Sequence, residues 1–502
     1  MAKRPYVPLK PLQTPMNFSP ETDWVVPNLL GLDLSSAKEI AIDLETRDPN
    51  LIKLGSGAIF GDGEVVGIAV AVDGWKAYLP FAHEGGKTVL KWFQTVLDLP
   101  ADKIFHNAMY DVSWIRAMGL KINGRIIDTM IAASLIDENR FRYSLDSVAK
   151  DYAGIRKNEA VLREAAKEWG VDPKAEMWRL PAPFVGEYAE RDAEATLKLW
   201  HVLKVKLDEE QLWNVFNLET DLFPCLVDMK FKGVRVDLEK TEDVKKLLLK
   251  EEKEIRAKME KLAEAEVEIW SAASIAKAFE KLDIPFDRTE KGAPSFTKNF
   301  LATHPHDFPK LVVTCRELDK MNSTFIETIL KREHNGRIHA DINQIRSDQG
   351  GTVTGRFSYS NPNLQQIPAR HKILGPMLRS LFIPEEKHTW GCFDYSQQEP
   401  RILVHYAHKM NMEGASTIVE AYNEGKADFH QMIADMAGIE RKQAKTINLG
   451  IMYGMGKNKL MSELGLMKEE AEDLLKEYHR NAPFVKMISD RVARQAEDAG
   501  KI

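Results

Sequence analysis

Between residues 31 and about 205, short runs rich in β-branched and aromatic residues, KEIAIDLET, EVVGIAVAV, KAYLPFA and DKIFHNA, alternate with longer stretches such as VLKWFQTVL and AERDAEATLKLWHVLKVKL. The short runs predict strands and the long ones helices, so an α/β lobe is expected. From about 209 to 335 apolar positions fall three and four apart with charges between them, most clearly in LEKTEDVKKLLLKEEKEIRAKMEKLAE, and this predicts a helical second region. Residues 336–430 read as strands and loops, and 431–499 as helices. Residues 1–30 read as an extended leader, because their prolines break any helix.

Composition narrows the picture. A chain of 502 residues corresponds to about three domains. Hydrophobic residues at 44% and charged residues at 29% are globular values, and no apolar run approaches the roughly 18 residues of a spanning helix. No membrane association is expected. The first 20 residues lack the apolar stretch of a signal peptide, and with three scattered cysteines and no C-x-x-C pair they predict a cytoplasmic protein in a reducing compartment. The formal net charge is −6, yet residues 331–384 carry eight Lys or Arg against three acids, a local surplus of five cations that suits a polyanion.

Candidate chemistry begins in KEIAIDLET. On a strand, Ile40, Ile42 and Leu44 fall on one face, and Ala41, Asp43 and Glu45 on the other, so the aliphatics pack inward and two carboxylates share a face. Chance alone gives roughly ten acid-x-acid triplets in such a chain, so the pair needs company. FHNAMYD adds Asp111, four residues after Asn107, and EYAERDAE places Tyr188 four before Asp192, on one helix face. The D-x-E, N-x-x-x-D and Y-x-x-x-D motifs in this order resemble the DnaQ-like 3′–5′ exonucleases of the ribonuclease H-like fold. The resemblance implies two-metal phosphodiester hydrolysis with Mg²⁺ or Mn²⁺, two ions per site. It assigns Asp43 to both ions, Glu45 and Asp192 to the first, Asp111 to the second, and Tyr188 to the attacking water.

A second group of motifs follows. GTVTGRFSYSNPNLQQIPAR is a Gly- and hydroxyl-rich loop leading into amides, a composition suited to phosphate and groove contacts. In WGCFDYSQQEPRILVHYAH, Cys392 and the aromatics around Asp394 predict a buried strand ending in an exposed carboxylate, with a helix after it. RKQAKTINLGIMYGMG spaces Arg441, Lys445, Leu449 and Tyr453 by four, and because each step turns about 40° the four form one stripe. Cations, an apolar platform and an aromatic on one stripe suit a nucleotide.

Together these segments resemble family A DNA polymerases of the DNA polymerase I type. The resemblance implies an α/β and α+β multidomain fold: a ribonuclease H-like exonuclease domain over 31–205, a helical thumb over 206–335, an incomplete palm sheet over 336–430 and incomplete helical fingers over 431–502. It implies that Asp394, with the Tyr395 carbonyl, holds the catalytic metals. Arg441, Lys445 and His430 would meet the incoming dNTP, and Glu399 and Tyr453 would exclude a ribose 2′-hydroxyl. Arg356, Asn363 and Gln365 would contact primer–template DNA. Leu449 stands where the family commonly has an aromatic, which removes a stacking surface for the sugar.

Family A polymerases carry a second metal-bearing acid in a strand–turn–strand segment, motif C. The acids after Tyr453 here all lie in helix-like stretches, and Lys501–Ile502 read as the start of a strand. The expectation is therefore an N-terminal piece, in a phage-like arrangement without a 5′ nuclease domain. It would degrade DNA alone and need a C-terminal polypeptide carrying motif C to extend a primer. Two alternatives stand beside it: an exonuclease whose polymerase part only grips DNA, and a non-catalytic primer–template binding protein.

Overall fold

The computed structural model describes residues 21–29, 32–81, 86–156, 158–348, 350–369 and 371–500. Most of the leader, Arg370 of the basic stretch and the strand start expected at 501–502 lie outside them. The chain divides into two compact units, the first ending at His388 and the second beginning at Thr389.

The first unit is built on a five-stranded sheet of β1 (Glu39–Arg47), β2 (Glu64–Val72), β3 (Trp75–Pro80), β4 (Asp102–Phe105) and β5 (Ile126–Asp128), in the order β3-β2-β1-β4-β5. β1 runs antiparallel to β2 and parallel to β4, so it is central, and both of its faces are covered. Ile40, Ile42 and Leu44 pack with Phe93, Val96 and Leu97 of the helix Gly86–Asp98. Ala41 packs on the other face with Tyr78 and with Ala189, Ala193 and Trp200 of the long helix Ala182–Glu209. Strict alternation predicted one buried face. The observed burial on both corrects that, because helices cover each side of the sheet, as a strand with parallel neighbours requires.

Lys103 on β4 is fully buried. Its ammonium donates to the carbonyls of Leu99, Ala101 and Asn123 at 2.6, 2.8 and 2.7 Å, and burial pulls its pKa down to about 8. Lys103→Met strands three carbonyls that join β4 to the loops at its base. It is expected to cost about 3 kcal/mol, read as a lower midpoint in urea unfolding, and an unchanged midpoint would contradict the role.

The predicted helical region forms as Trp213–Lys232, Leu238–Ala263, Ala272–Lys281 and Asp307–Lys320, the last continuing through a π-helical turn, Met321–Ile326, into Glu327–Arg332. The long helix Leu238–Ala263 serves two cores. Val244 and Leu248 pack with Leu318, Phe325 and Leu378, while Met259 packs with Phe279, Phe308 and the buried Cys315. Within 336–388 the strands are short: Arg337–Ile338 pairs with Val234–Arg235, and Asp341–Asn343 pairs with Ser358–Ser360.

The second unit is helical, with Gln398–Lys409, Phe429–Ala437, Arg441–Met452 and Lys468–Asn481 enclosing Val404, Ile433, Ile447, Leu474 and Tyr478. The strand expected around Asp394 does not form. Residues 389–395 carry no regular structure, Phe393 is 98% exposed and Tyr395 80%, and Cys392 is exposed as well. A strand is completed by a hydrogen-bonding neighbour, and among the described residues none pairs with this segment. Within 410–430, read as strand and loop, Ala415–Asn423 is likewise helical instead.

Candidate active site

The first-unit acids converge where β1, the helix Ala108–Ala117 and the helix Ala182–Glu209 meet. β1 supplies Asp43 and the buried Glu45, with its bulge against β2 falling between Glu45 and Thr46. Such a bulge re-aims side chains at the end of a paired stretch. Asp111 sits in the first turn of its helix, and its Oδ1 accepts from the Leu44 backbone N–H at 3.0 Å, between the two β1 acids. Tyr188 and Asp192, one turn apart, are hydrogen-bonded to each other, and the charges of Glu45 and Asp43 also act on the phenol. The sequence-predicted set is thus brought together by three elements far apart in the chain.

The electrostatics are those of anions crowded in a dry pocket. Burial, reinforced by the charge of Asp43, holds the Asp111 carboxyl well above the usual carboxylate range. Burial and the charges of Asp192, Glu45 and Asp43 push the Tyr188 phenol far up. A cation among these oxygens would reverse both effects, and an all-oxygen, net-negative donor set fits Mg²⁺ or Mn²⁺ in chemistry. Among the described residues no group of three or more His, Cys, Asp or Glu side chains is placed so that it could hold a metal ion. The fit is therefore one of charge and ligand type.

Three contributors had no motif to announce them. Tyr78 on β3 is buried, and the charges of Glu45 and Asp43 reach its phenol, which burial pushes up first. Its ring lies where a Cβ on Gly67, the β2 partner of Glu45, would come within 2.2 Å of the Tyr78 oxygen, so only glycine admits it. Asp128, at the end of β5, accepts from the backbone N–H groups of Asn107, Ala108 and Met130 at 3.0, 2.8 and 2.8 Å. It thereby pins the start of the Asp111 helix, although burial still raises its pKa to about 6. Glu190 accepts from the Trp24 indole at 2.9 Å and the Tyr78 N–H at 3.0 Å, fastening a leader residue beside the Tyr188 turn. The sequence signal for Asp128 was slight: an acid at a strand end ahead of a helix, a common N-cap.

The loop residues of the first unit organise their own turn. The Asn363 side chain caps the turn Leu364–Gln366 by accepting from Gln365 N–H at 3.1 Å. Gln365 accepts from Tyr359 N–H at 3.3 Å and donates to the Phe357 carbonyl at 3.0 Å. Arg356 is exposed, and its carbonyl accepts from the Thr352 hydroxyl at 2.7 Å.

In the second unit the predicted stripe is real. On Arg441–Met452, Ala444, Ile447, Asn448 and Ile451 are buried, whereas Arg441, Lys445 and, at the helix end, Tyr453 are exposed, with Leu449 half-buried. Tyr453 donates to Glu399 at 2.8 Å. Arg441 is paired through two nitrogens with Asp428 at 2.6 and 2.8 Å. Asp428 also caps Phe429–Ala437, and the guanidinium beside it holds its carboxyl below the usual range despite burial. His430 does not join the exposed stripe. It is 2% exposed, its Nδ1 lies 3.0 Å from Asn448 Nδ2, and burial lowers its pKa. Asn448 in turn accepts from the Tyr478 hydroxyl at 3.0 Å, so the imidazole belongs to a core polar network. Gln397, which no motif reading singled out, accepts from the Tyr422 hydroxyl at 3.1 Å and the Phe429 N–H at 3.2 Å and anchors the start of the helix after Asp394. Asp394 itself is exposed.

The family model described as DNA polymerase family A matches residues 238–502, and that described as 3′-5′ exonuclease matches 29–208. The chain belongs to DNA polymerase family A. This family A chain is 36% identical to the DNA-directed DNA polymerase of Pseudomonas phage M6, covering 97% of this chain and 78% of that one. It is 32% identical to the DNA polymerase DpoZ of Acinetobacter phage SH-Ab 15497, over 76% of this chain and 65% of that one. Its fold is like that of the polymerase domain of Pol1 from M. smegmatis, solved in complex with DNA primer-template and dNTP. The TM-score is 0.73 at 21% identity, over 93% of this chain and 76% of that one. The family A chain thus carries polymerase and 3′–5′ exonuclease domains, and in enzyme class it is a nucleotidyltransferase with an exodeoxyribonuclease. No described helix is long and apolar enough to cross a membrane.

Proposed function

We propose that the chain edits and extends DNA at two separate sites, an exonuclease site on residues 31–205 and a nucleotide-selecting site within 394–453, with a thumb over 206–335 between them along the sequence. The observation that carries the reading is the crowding of the buried Glu45, Asp111 and Asp192 with the half-buried Asp43 and Tyr188 into one mutually repelling group. Such a group destabilises the fold unless it has work to do with a cation.

At the exonuclease site Asp43, Glu45, Asp111 and Asp192 would hold two divalent ions, Mg²⁺ or Mn²⁺, which lower the pKa of water and offset charge on the scissile phosphate. The protein's own share is positional. The Leu44 N–H fixes Asp111, Asp128 fixes the helix beneath it, and Tyr188, kept neutral and donating its proton to Asp192, orients the attacking water as an acceptor through its phenol oxygen. At the other site Lys445 and Arg441 would bind the triphosphate, with Asp428 holding Arg441 in reserve. The Glu399–Tyr453 pair would close the space beside the sugar C2′. Asp394 and the Tyr395 carbonyl would hold metal. Their segment, with Phe393 almost wholly exposed, also presents an edge that a further strand of a C-terminal polypeptide carrying motif C would cover. The partners are primer–template DNA and dNTPs, in the cytoplasm of a bacterial host.

A 5′-labelled primer–template incubated with Mg²⁺ tests this. The primer is expected to shorten from its 3′ end when dNTPs are withheld. No shortening with either Mg²⁺ or Mn²⁺ overturns the assignment.

The acids also predict a pH dependence. A buried carboxyl with a raised pKa keeps its proton where the unfolded chain has lost it. Without divalent ions, Asp128 and Asp111 therefore subtract stability as pH rises from about 4, Asp128 up to about 6 and Asp111 until its own raised pKa is passed. Mn²⁺ binds the ionised forms, so it is expected to raise the thermal midpoint more at about pH 8 than at about pH 5. An equal shift at both values would contradict the coupling.

A further inference from the structure

We propose that Lys230 and Asp341 are positioning residues that tie the primer-gripping loop to the exonuclease body. The inference rests on the reading that Asn363 and Gln365 contact DNA.

Lys230 ends the helix Trp213–Lys232 and is buried. Its ammonium lies 2.8 Å from Asp341 Oδ1. The other carboxylate oxygen of Asp341 accepts from Asn361 Nδ2 at 3.0 Å. Asp341 opens the strand that pairs with Ser358–Ser360, opposite Ser360, so its carboxylate stands where the chain leaves that strand. Asn361 is the first residue beyond it and takes a left-handed φ of 55°, which asparagine tolerates better than most side chains. Two residues later Asn363 begins the turn that Gln365 closes back onto Phe357 and Tyr359. One carboxylate thus sets where the loop starts, and a buried cation sets the carboxylate.

That cation, carried by the first thumb helix, reaches the exonuclease side. Lys230 also acts on Asp48, whose carboxyl it favours in the charged form against burial and the repulsion of Asp62. Asp48 accepts from the Gly57 N–H and from the hydroxyl of Tyr110, the neighbour of Asp111. The same strand pair is fastened to this body elsewhere. Gln344 donates to the Glu219 carbonyl at 2.6 Å and to its carboxylate. Ser134 donates to the Arg346 carbonyl at 2.7 Å, and Ile345 is buried in the core under the sheet. Those contacts hold the strands, and Leu364 and Ile367 seat the far end of the loop on the core of Leu248 and Phe325, whereas the Lys230–Asp341–Asn361 line sets where the loop begins.

The clean variant is Asn361→Ala, which cuts the line on the loop side and leaves the buried Lys230–Asp341 pair intact. Lys230→Met cuts it on the other side. Binding of a fluorescein-labelled primer–template hairpin is read by anisotropy, alongside degradation of a short single-stranded oligonucleotide and the thermal midpoint. Each single variant is expected to raise Kd about tenfold, and the double variant no more than either single, since both break one line. Asn361→Ala should leave single-strand degradation unchanged, a split that a general loss of structure would not give. An unchanged Kd for Asn361→Ala, or effects that multiply in the double variant, overturns the proposal. Gln365→Ala separates the two layers: if it too leaves Kd unchanged, the loop does not grip DNA, whereas if it raises Kd and Asn361→Ala does not, only the positioning is wrong.

Discussion

Asp43→Ala is expected to remove 3′–5′ degradation of single-stranded DNA, by about 10³-fold or more, while leaving the fold as stable as before or slightly more so. The activity loss follows from the place of Asp43 opposite both other acid-bearing elements, where its charge reaches Asp111, Tyr188 and Tyr78. Losing the ligand proposed to be shared by both ions would remove about 4 kcal/mol or more of transition-state stabilisation. The retained stability follows from the same charge. Asp43 is one of the repulsions that hold Asp111 above the carboxylate range, so its deletion relieves the site. Degradation of a 5′-labelled oligonucleotide and a urea titration, run on the same preparation, check both halves. Surviving activity, or a large fall in stability, would refute the assignment of Asp43.

Lys445→Ala is expected to weaken dNTP binding about 10- to 100-fold, the value of one charge-assisted contact with a phosphate, about 1.5–3 kcal/mol. Lys445 is exposed on the face opposite Ala444, Ile447 and Ile451, so its removal disturbs no packing. Arg441 is already engaged with Asp428 and must be shared with the triphosphate, which leaves Lys445 the larger part of the attraction. Titration of a fluorescent dNTP in Mg²⁺ reads the effect. An affinity within twofold of the parent would show that the stripe is a solvated helix face and nothing more.

These effects differ in how far they were legible beforehand. The exonuclease acids were readable because each sits in a short motif whose local geometry the sequence sets: two carboxylates at strand spacing, a phenol and a carboxylate one helical turn apart. Arg441, Lys445, Leu449 and Tyr453 were readable for the same reason, since spacing by four places them on one stripe wherever the helix lies. The resemblance sent His430 to the incoming dNTP; what no motif showed is that Asn448, eighteen positions on and hydrogen-bonded to Tyr478, holds the imidazole in the core. The Asp394 segment was misread. Aromatic alternation signals a strand, but a strand is a property of a pair, and no described residue pairs there.

Sequence alone therefore determined the elements with a strong local period, the acids they carry, and the family those motifs point to. Tertiary structure decided what no local period encodes. It buried both faces of β1, set Tyr78 over Gly67 beside Glu45, made Asp128 the clasp of the Asp111 helix, and ran a line from Lys230 through Asp341 to Asn361. The physical reason is common to all four. Periodicity fixes which side of an element a residue occupies, but burial, desolvation and hydrogen-bond pairing depend on which other element arrives at that side, and that contact spans up to more than a hundred residues of chain.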